Sequence, residues 1–533
     1  MLIIQCRAGN DNSMNYLLDQ IENTPLGKMK AKHLLNRALF GPRREEINLF
    51  STYTITEALD ILLANEEDPG PPLHVFGDDP NVPFGETWVD AALDGDVRAK
   101  RKKSLRSWWM GLCIDQSPSL REKMVLFWHN HFVTETNVVN IPAYLYQYNA
   151  ILRAHSTGNF RTMAELLTIN TAMLRYLDGV KNTASSPNEN YARELFELFS
   201  IGKGPLIEEG NYTYYTEEDV QEAARVLTGW KVDKDTLSSY YNDSAHDKGN
   251  KTFSDYYGNH VISDGGENEY KELISMIFAS KQTAIYIVQK LYRWFVYYQI
   301  NEEVMNGIIL PLADILYDQD YDVKSVLQVL LSSEHFFDPD LRGAYLKNPI
   351  EFVAGSARRL ELDLGEDLAT QYEFQNLLYL LSSYQEMDLG SPPDVAGWPA
   401  YYLEPQFNRL WINAATLPQR SEFCQKILRS GYYRNGEKLV ADLIFLAEQT
   451  SVPSDASVLI NEFADLLLPV ELSPEQEEEF TEALIPGLPG FEWTLEWNEY
   501  KNDPGNETKR NAVEQSLTNM VEAMMSLPEY HLI

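Results

Sequence analysis

Apolar side chains recur at helical spacing along most of this chain, separated by short polar breaks. Residues 28–40 are apolar at Leu34, Leu35, Ala38 and Leu39, and the pattern stops at Gly41-Pro42, so the spacing predicts a helix there. The same reasoning predicts helices over 119–132 and 162–177, the second ending near Gly179. Residues 185–202 carry a set of helix punctuation: Ser186 as N-cap, Pro187 in the first turn, Glu189 completing a capping box and Gly202 closing the end. Thr216 with Asp219 opens the next helix, which runs to about Leu227. Further helices are predicted over 270–279, 282–299, 302–317, 322–335, 348–362 and 367–384, and again through the last hundred residues. Residues 66–88 and 232–269 are rich in turn formers and read as loops, the second with a short hairpin around 253–262. No series of alternating segments could build a large sheet. The expected fold class is all-α: a large multi-helix globular body with long polar loops and one short β-hairpin. The expected organisation is an N-terminal tail over 1–24, a helical core domain over 25–425 and an acidic C-terminal helical extension over 426–533.

Composition sharpens this picture. With 533 residues, 44% of them hydrophobic, the chain can bury a sizeable core. Its net charge of −35 repels phosphate backbones and anionic lipid, so nucleic acid is not an expected partner. One stretch runs against this trend. Arg98, Lys100, Arg101, Lys102, Lys103 and Arg106 form either a solvated helix start paired with nearby acids or a docking patch for an acidic partner. The most apolar segment, 285–300, is interrupted by Lys290 and Arg293, so it predicts a buried helix and no membrane span. Cys6, Cys113 and Cys424 have neither metal-type spacing nor the density of a disulfide framework. The first residues lack a basic segment followed by an apolar stretch, so a cytoplasmic location is the default expectation. Met14 is an alternative start, and a misassigned start would leave a periplasmic or exported location open.

Seven segments then fall in a recognisable order: HLLNRALFGP (33–42), REKMVLFWHNHFVT (121–134), PNENYARELFELFSIG (187–202), YTEEDVQEAARVLTGW (215–230), HDKGNKTF (246–253), NPIEFVAG (348–355) and PPDVAGWP (392–399). Together they resemble the bacterial family catalogued as domain of unknown function 1800, over residues from about 28 to about 420. The resemblance implies a helical bacterial protein, often encoded beside a second uncharacterised family similar to sulfatases and alkaline phosphatases. It implies no known reaction. Many relatives carry a His where this chain has Phe199. A role for that His as ligand or base would be missing here.

The candidate chemistry lies in the same segments. His129 and His131 are two apart on one helix and point about 200° from one another, so both cannot grip one ion on a regular helix. They read either as core histidines or as one metal ligand or base beside one that holds a loop. Asn190, Glu194 and Glu197 form a polar stripe opposite Tyr191, Leu195 and Leu198. Arg193 could pair with Glu197 and leave a solvated face. The alternative is a site for a divalent cation, or an acid–base pair with separated pKa values. The HDKGNK loop offers His246, Asp247 and Lys251, groups that suit a metal, phosphate or sulfate, or simply a polar turn. Trp398 either plugs the core or stacks against a ring-shaped substrate such as a sugar. Arg121, Glu122 and Lys123 are expected to complete local salt pairs at the start of the His helix.

No G-x-S-x-G, H-E-x-x-H, G-x-G-x-x-G or kinase signature is present, which disfavours the common hydrolase, zinc-protease, dinucleotide and kinase classes. Two functions remain. One is a hydrolase-like site between helices 121–134 and 187–200 under the 246–251 loop. There His131, Glu194 and His246 would be catalytic, His129, His131, Glu194, Glu197 and Asp247 would hold a divalent metal, and Asn190, Lys251 and Trp398 would bind a small-molecule or glycan substrate. The other is a non-catalytic accessory protein acting with a sulfatase-like partner.

Overall fold

The computed structural model describes residues 15–208 and 211–533. Helices pack around one continuous apolar core that runs in sequence from Ile21 to Tyr530. Arg98–Asp115 lies along Leu368–Ser383, Arg121–His131 along Pro142–Ala154, Glu189–Glu197 along Glu217–Val226, and Lys281–Phe295 along Leu310–Asp318. In the C-terminal part, Glu507–Ser526 packs on Pro474–Leu484, Phe491–Asn502 and Thr416–Leu428. No helix of the described residues is long and apolar enough to cross a membrane. Lys281–Phe295 is buried along one face, as its interruption by charges implied.

Strands are confined to four antiparallel hairpins among the described residues. The hairpin expected around 253–262 is Lys251–Thr252 paired with Val261–Ile262. Trp230–Asp233 with Ser238–Tyr241, Leu206–Glu208 with Asn211–Tyr212, and Tyr432–Arg434 with Glu437–Leu439 were not anticipated.

Local chemistry explains where elements begin and end. Thr216 caps Glu217–Val226 and exchanges hydrogen bonds with Asp219, as the capping-box spacing predicted. The helix expected over 162–177 is two helices, Phe160–Thr168 and Thr171–Tyr176. Asn170 divides them, since its side chain accepts from the Ala172 and Met173 N–H groups and caps the second. The helix expected to start at Ser186 starts two residues later. Asn188 is its cap, accepting from the Asn190 N–H, while Ser186 is held in a bridge with Thr183. Gly202 takes φ +79° and its N–H bonds the Phe196 carbonyl at 3.0 Å, closing the turn after Glu197.

Candidate functional site

The His helix is anchored to distant elements at its start. Arg121 pairs with Glu66 (3.1 Å), Glu122 accepts a two-pronged bond from Arg153 (2.9 and 2.8 Å), and Lys123 pairs with Glu351 inside the core. The expectation of local pairs holds for Arg121 with Glu122 (3.6 Å), and the closer partners, Glu66, Arg153 and Glu351, come from other segments and pin the helix on three sides. Its other end enters the loop Phe132–Thr136. There Gly397 (φ +101°) lies so close to Asn130 that any side chain would collide, and the Trp398 N–H donates to Asn130 Oδ1 at 2.9 Å. Trp398 is buried, with its ring 5.7 Å from that of His129.

His129 has a determinable tautomer. The Tyr148 hydroxyl donates to the Phe132 carbonyl, so Tyr148 must accept from His129 Nδ1–H at 3.0 Å. Nε2 is left as a bare acceptor, buried without a partner. Burial pushes the His129 imidazole down to about 3, so it is neutral. The ring borders a cavity of about 20 Å3 that Trp109 and Asn149 also line, and Trp109 Nε1 and Asn149 Nδ2 are likewise unpartnered. Acceptor and donors together suit one ordered water. The two donors disfavour a cation beside His129.

His131 faces away from His129. Its Nε2–H donates to the Phe199 carbonyl (3.1 Å), and Nδ1 accepts from Lys290 Nζ (3.0 Å). Burial, then Lys290, holds the imidazole well below its ordinary value. Lys290 also reaches the Leu198 carbonyl (3.4 Å) and lies 4.9 Å over the Tyr286 ring. Burial, then Arg293, pushes the Lys290 ammonium down to about 7. Here His131 takes the backbone carbonyl of Phe199, and the Phe199 ring packs 5.2 Å from that of Phe132.

Five residues before Phe199, on the Glu189–Glu197 helix, stands Glu194. It is half-buried and makes no side-chain hydrogen bond or ion pair with any described residue. Burial, then the charge of Glu197, pushes its carboxyl up to about 7, and Asp394 adds to the effect. Arg193 does not neutralise Glu197, as the sequence had allowed. It grips Glu217 (2.8 and 2.7 Å) and Glu189 (3.1 Å). Glu197 instead accepts from the Tyr215 hydroxyl (2.6 Å) and pairs with Lys203 (3.2 Å). Beside Glu194, burial pushes the Tyr176 phenol up to about 12, reinforced by Glu135, Asp394 and Glu194. Asn190 is exposed and bonds the Leu177 carbonyl at 3.3 Å. The Arg121–His131 helix with its following loop, the Glu189–Glu197 helix and the 392–399 loop therefore meet around a carboxylate-rich patch. Lys290, Tyr176, Asp394 and Glu135 were missed in the sequence. Lys290 alone carried a signal, as a lysine inside an otherwise apolar helix.

The 246–251 loop makes no hydrogen bond or ion pair with His131 or Glu194 and is consumed by its own ion pairs. His246 Nδ1–H donates to the Thr228 carbonyl (2.9 Å) and Nε2 meets Glu269 Oε1 (2.9 Å). Lys251 Nζ lies 2.6 Å from Glu269 Oε2, and all three side chains are fully buried. Asp247 is taken by Arg225 (2.8 and 3.2 Å). Although burial disfavours the charged imidazole, the Glu269 bond holds His246 above its ordinary value. His246, Glu269 and Asp264 are the one set of such side chains, among the described residues, with ligand atoms within 4.8 Å of each other. There the Lys251 ammonium already acts as the cation, 3.5 Å from His246 Nε2. His129, His131, Glu194, Glu197 and Asp247 are spread over separate surroundings and form no such set.

Cys113 and Cys424 are buried and free, and Cys6 and Met14 lie outside the described residues. A cavity of about 530 Å3 bordered by Trp108, Tyr146 and Arg121 involves ionic groups that are mostly paired, such as Arg121 with Glu66 and Arg153 with Glu122.

A family model described as "Protein of unknown function (DUF1800)" matches residues 33–532. No curated protein and no solved structure matches the chain.

Proposed function

This chain belongs to the DUF1800 family of proteins of unknown function, and on that premise we propose that it is a hydrolase-like enzyme whose proton donor is Glu194. The observation that carries this reading is a half-buried carboxyl, without a partner, held at about 7 where three of the recognised segments meet. A carboxyl so tuned is part protonated at neutral pH and can deliver its proton to a leaving group. Glu197, fixed by Tyr215 and Lys203, is the ionised counterpart that orients water. Glu135 and Asp394 extend the negative surround, which favours a neutral or cationic polar substrate such as a glycan over a phosphate or sulfate ester. His131 and Lys290 hold the far end of the Glu189–Glu197 helix and so set the position of Glu194. A divalent cation remains the alternative partner of these carboxylates. Elemental analysis of the purified protein separates the two.

The test is a panel of glycoside, ester and amide substrates assayed with wild type and Glu194→Gln. The expected result is hydrolysis that falls about 100-fold or more in the variant, with wild-type activity lost as pH rises through about 7. No hydrolysis across the panel, or equal rates in the two proteins, overturns the reading.

A second reading, an accessory protein for a sulfatase-like partner, is favoured by one observation. Leu488, Phe491 and Leu495 are 54%, 63% and 53% exposed along the start of the Phe491–Asn502 helix, a stripe of the kind that marks protein contacts. Capture of such a partner by wild type and not by Phe491→Asp would carry it.

A further inference from the structure

Part of the basic run at 98–106 has a use that the Glu194 site does not absorb. Most of its charges are spoken for: Arg101 is gripped by Asp79 (2.8 and 3.2 Å), Lys103 pairs with Glu373, and Lys102 donates to Asn140 Oδ1 (3.1 Å). Arg98 is different. It borders a cavity of about 230 Å3 together with Arg101, Arg175 and Lys234, and the one acid in its lining is Asp94. Asp94 already accepts from the Asn81 amide and the Asp96 N–H. Arg98, Arg175 and Lys234 make no hydrogen bond or ion pair with any described residue, and Arg175 Nε is buried without a partner.

The cavity also contains the start of the 13-residue helix Pro142–Ala154, through Ile141, Pro142 and Ala143. That start has no side-chain cap and no acidic residue in its first turn. Tyr144 and Leu145 N–H turn back to the Ile141 carbonyl, leaving the Ala143 N–H without a partner among the described residues. This helix start presents the Ala143 N–H and the positive end of its dipole. In a chain of net charge −35, three unpaired cations and a free helix start around one cavity are not a generic surface. Asp96, Asp233 and Asp235 neighbour Arg98 and Lys234 in the chain but do not border the cavity, whose lining carries four cations against the one acid Asp94.

We propose that this cavity binds a dianionic oxyanion, a phosphate or sulfate group, between Arg98, Arg175, Lys234 and the N-terminus of the Pro142–Ala154 helix. Arginine forks and the Ala143 N–H match the oxygens of such a group, and the three cations compensate its charge. The volume leaves room for the group alone or for a small ester of it. The site is separate from the Glu194 carboxylates and stands whether or not that site is catalytic.

Titration calorimetry of the full chain with inorganic phosphate, inorganic sulfate and glycerol phosphate tests it. Saturable one-to-one binding is expected with at least one inorganic probe. It should weaken about ten-fold or more in Arg98→Gln/Lys234→Gln and in Arg175→Gln, since each charge-assisted bond is worth at least that factor. Arg98 and Lys234 enter no ion pair, so the double variant should melt as wild type does. Tighter binding of glycerol phosphate assigns the site to an ester, and equal binding assigns it to the free ion. Binding weaker than about 1 mM for all three probes, or unchanged in the double variant, overturns the proposal.

Discussion

Arg358→Met is expected to destabilise the fold by about 5 kcal/mol, the sum of a broken buried ion pair and carbonyls stripped of a donor. Arg358 is fully buried in the Pro349–Arg359 helix. Its guanidinium donates to Glu46 (2.7 Å) and to the carbonyls of Gly41 (2.7 Å), Ile114 (2.5 Å) and Gln116 (3.1 Å). One side chain therefore ties the Gly41 turn, the Arg44–Phe50 helix and the end of Arg98–Asp115 to the Pro349–Arg359 helix. Methionine fills much of the volume but leaves the Glu46 carboxylate and three carbonyls without this donor. Such a loss consumes much of the margin of an ordinary domain. Urea denaturation followed by circular dichroism checks it. Arg358→Lys should also fall short of wild type, because an ammonium cannot serve the fork of acceptors. A midpoint within error of wild type for the methionine variant would show that the junction does not depend on this residue.

The second large effect is Glu269→Gln, expected to cost about 3–5 kcal/mol because it leaves a buried cation uncompensated. Glu269 is the shared acceptor of His246 (2.9 Å) and Lys251 (2.6 Å). An amide cannot neutralise the Lys251 ammonium or the imidazolium. The pH dependence has a definite sign. His246 is held above its ordinary 6.5 in the folded protein, so its contribution is complete below about 6.5 and is lost as pH rises through the folded value. The gap between wild type and variant should therefore be wider at pH 6 than at pH 9. A gap independent of pH would mean that His246 stays neutral and that Lys251 alone accounts for the pair.

Much of the helical framework was legible because it is written locally. Thr216 and Asp219 sit three apart and close a capping box. Residues 282–299 showed an apolar face, and the helix is Lys281–Phe295. The expected single helix over 162–177 is divided at Asn170 because that side chain can continue a helix or cap one, and only its bonds to the Ala172 and Met173 N–H groups decide. The Trp230–Asp233 hairpin was missed because its partner Ser238–Tyr241 is half polar and lacks a clear alternation. The site was legible in part. The segments that carry His131 and Glu194 do meet, since His131 bonds the carbonyl of Phe199. What sequence could not supply was pairing at long range. Lys123 finds Glu351 in a segment far along the chain, and Arg193 leaves Glu197 for Glu217. That second choice leaves Glu194 beside an anion, with the nearby cations Arg193 and Lys203 bonded to other carboxylates. The HDKGNK loop looked rich in chemistry for the same reason that it is closed to it: each charged group there has a partner a few ångströms away.

Glu194 is kept as an unpaired carboxyl at a cost to the fold, and the pH dependence of stability reads out that cost. A carboxyl raised from 4.5 to about 7 in the folded protein lowers stability as pH climbs between those values. Glu194→Gln removes that cost. Chemical denaturation of both proteins at pH 4.5 and pH 8 should give equal stabilities at the acid end. At pH 8 the variant should be the more stable by about 1–2 kcal/mol, allowing for partial exposure of the group. A variant that is less stable than wild type at both pH values would mean that Glu194 is a structural carboxylate with partners and not an unpaired acid.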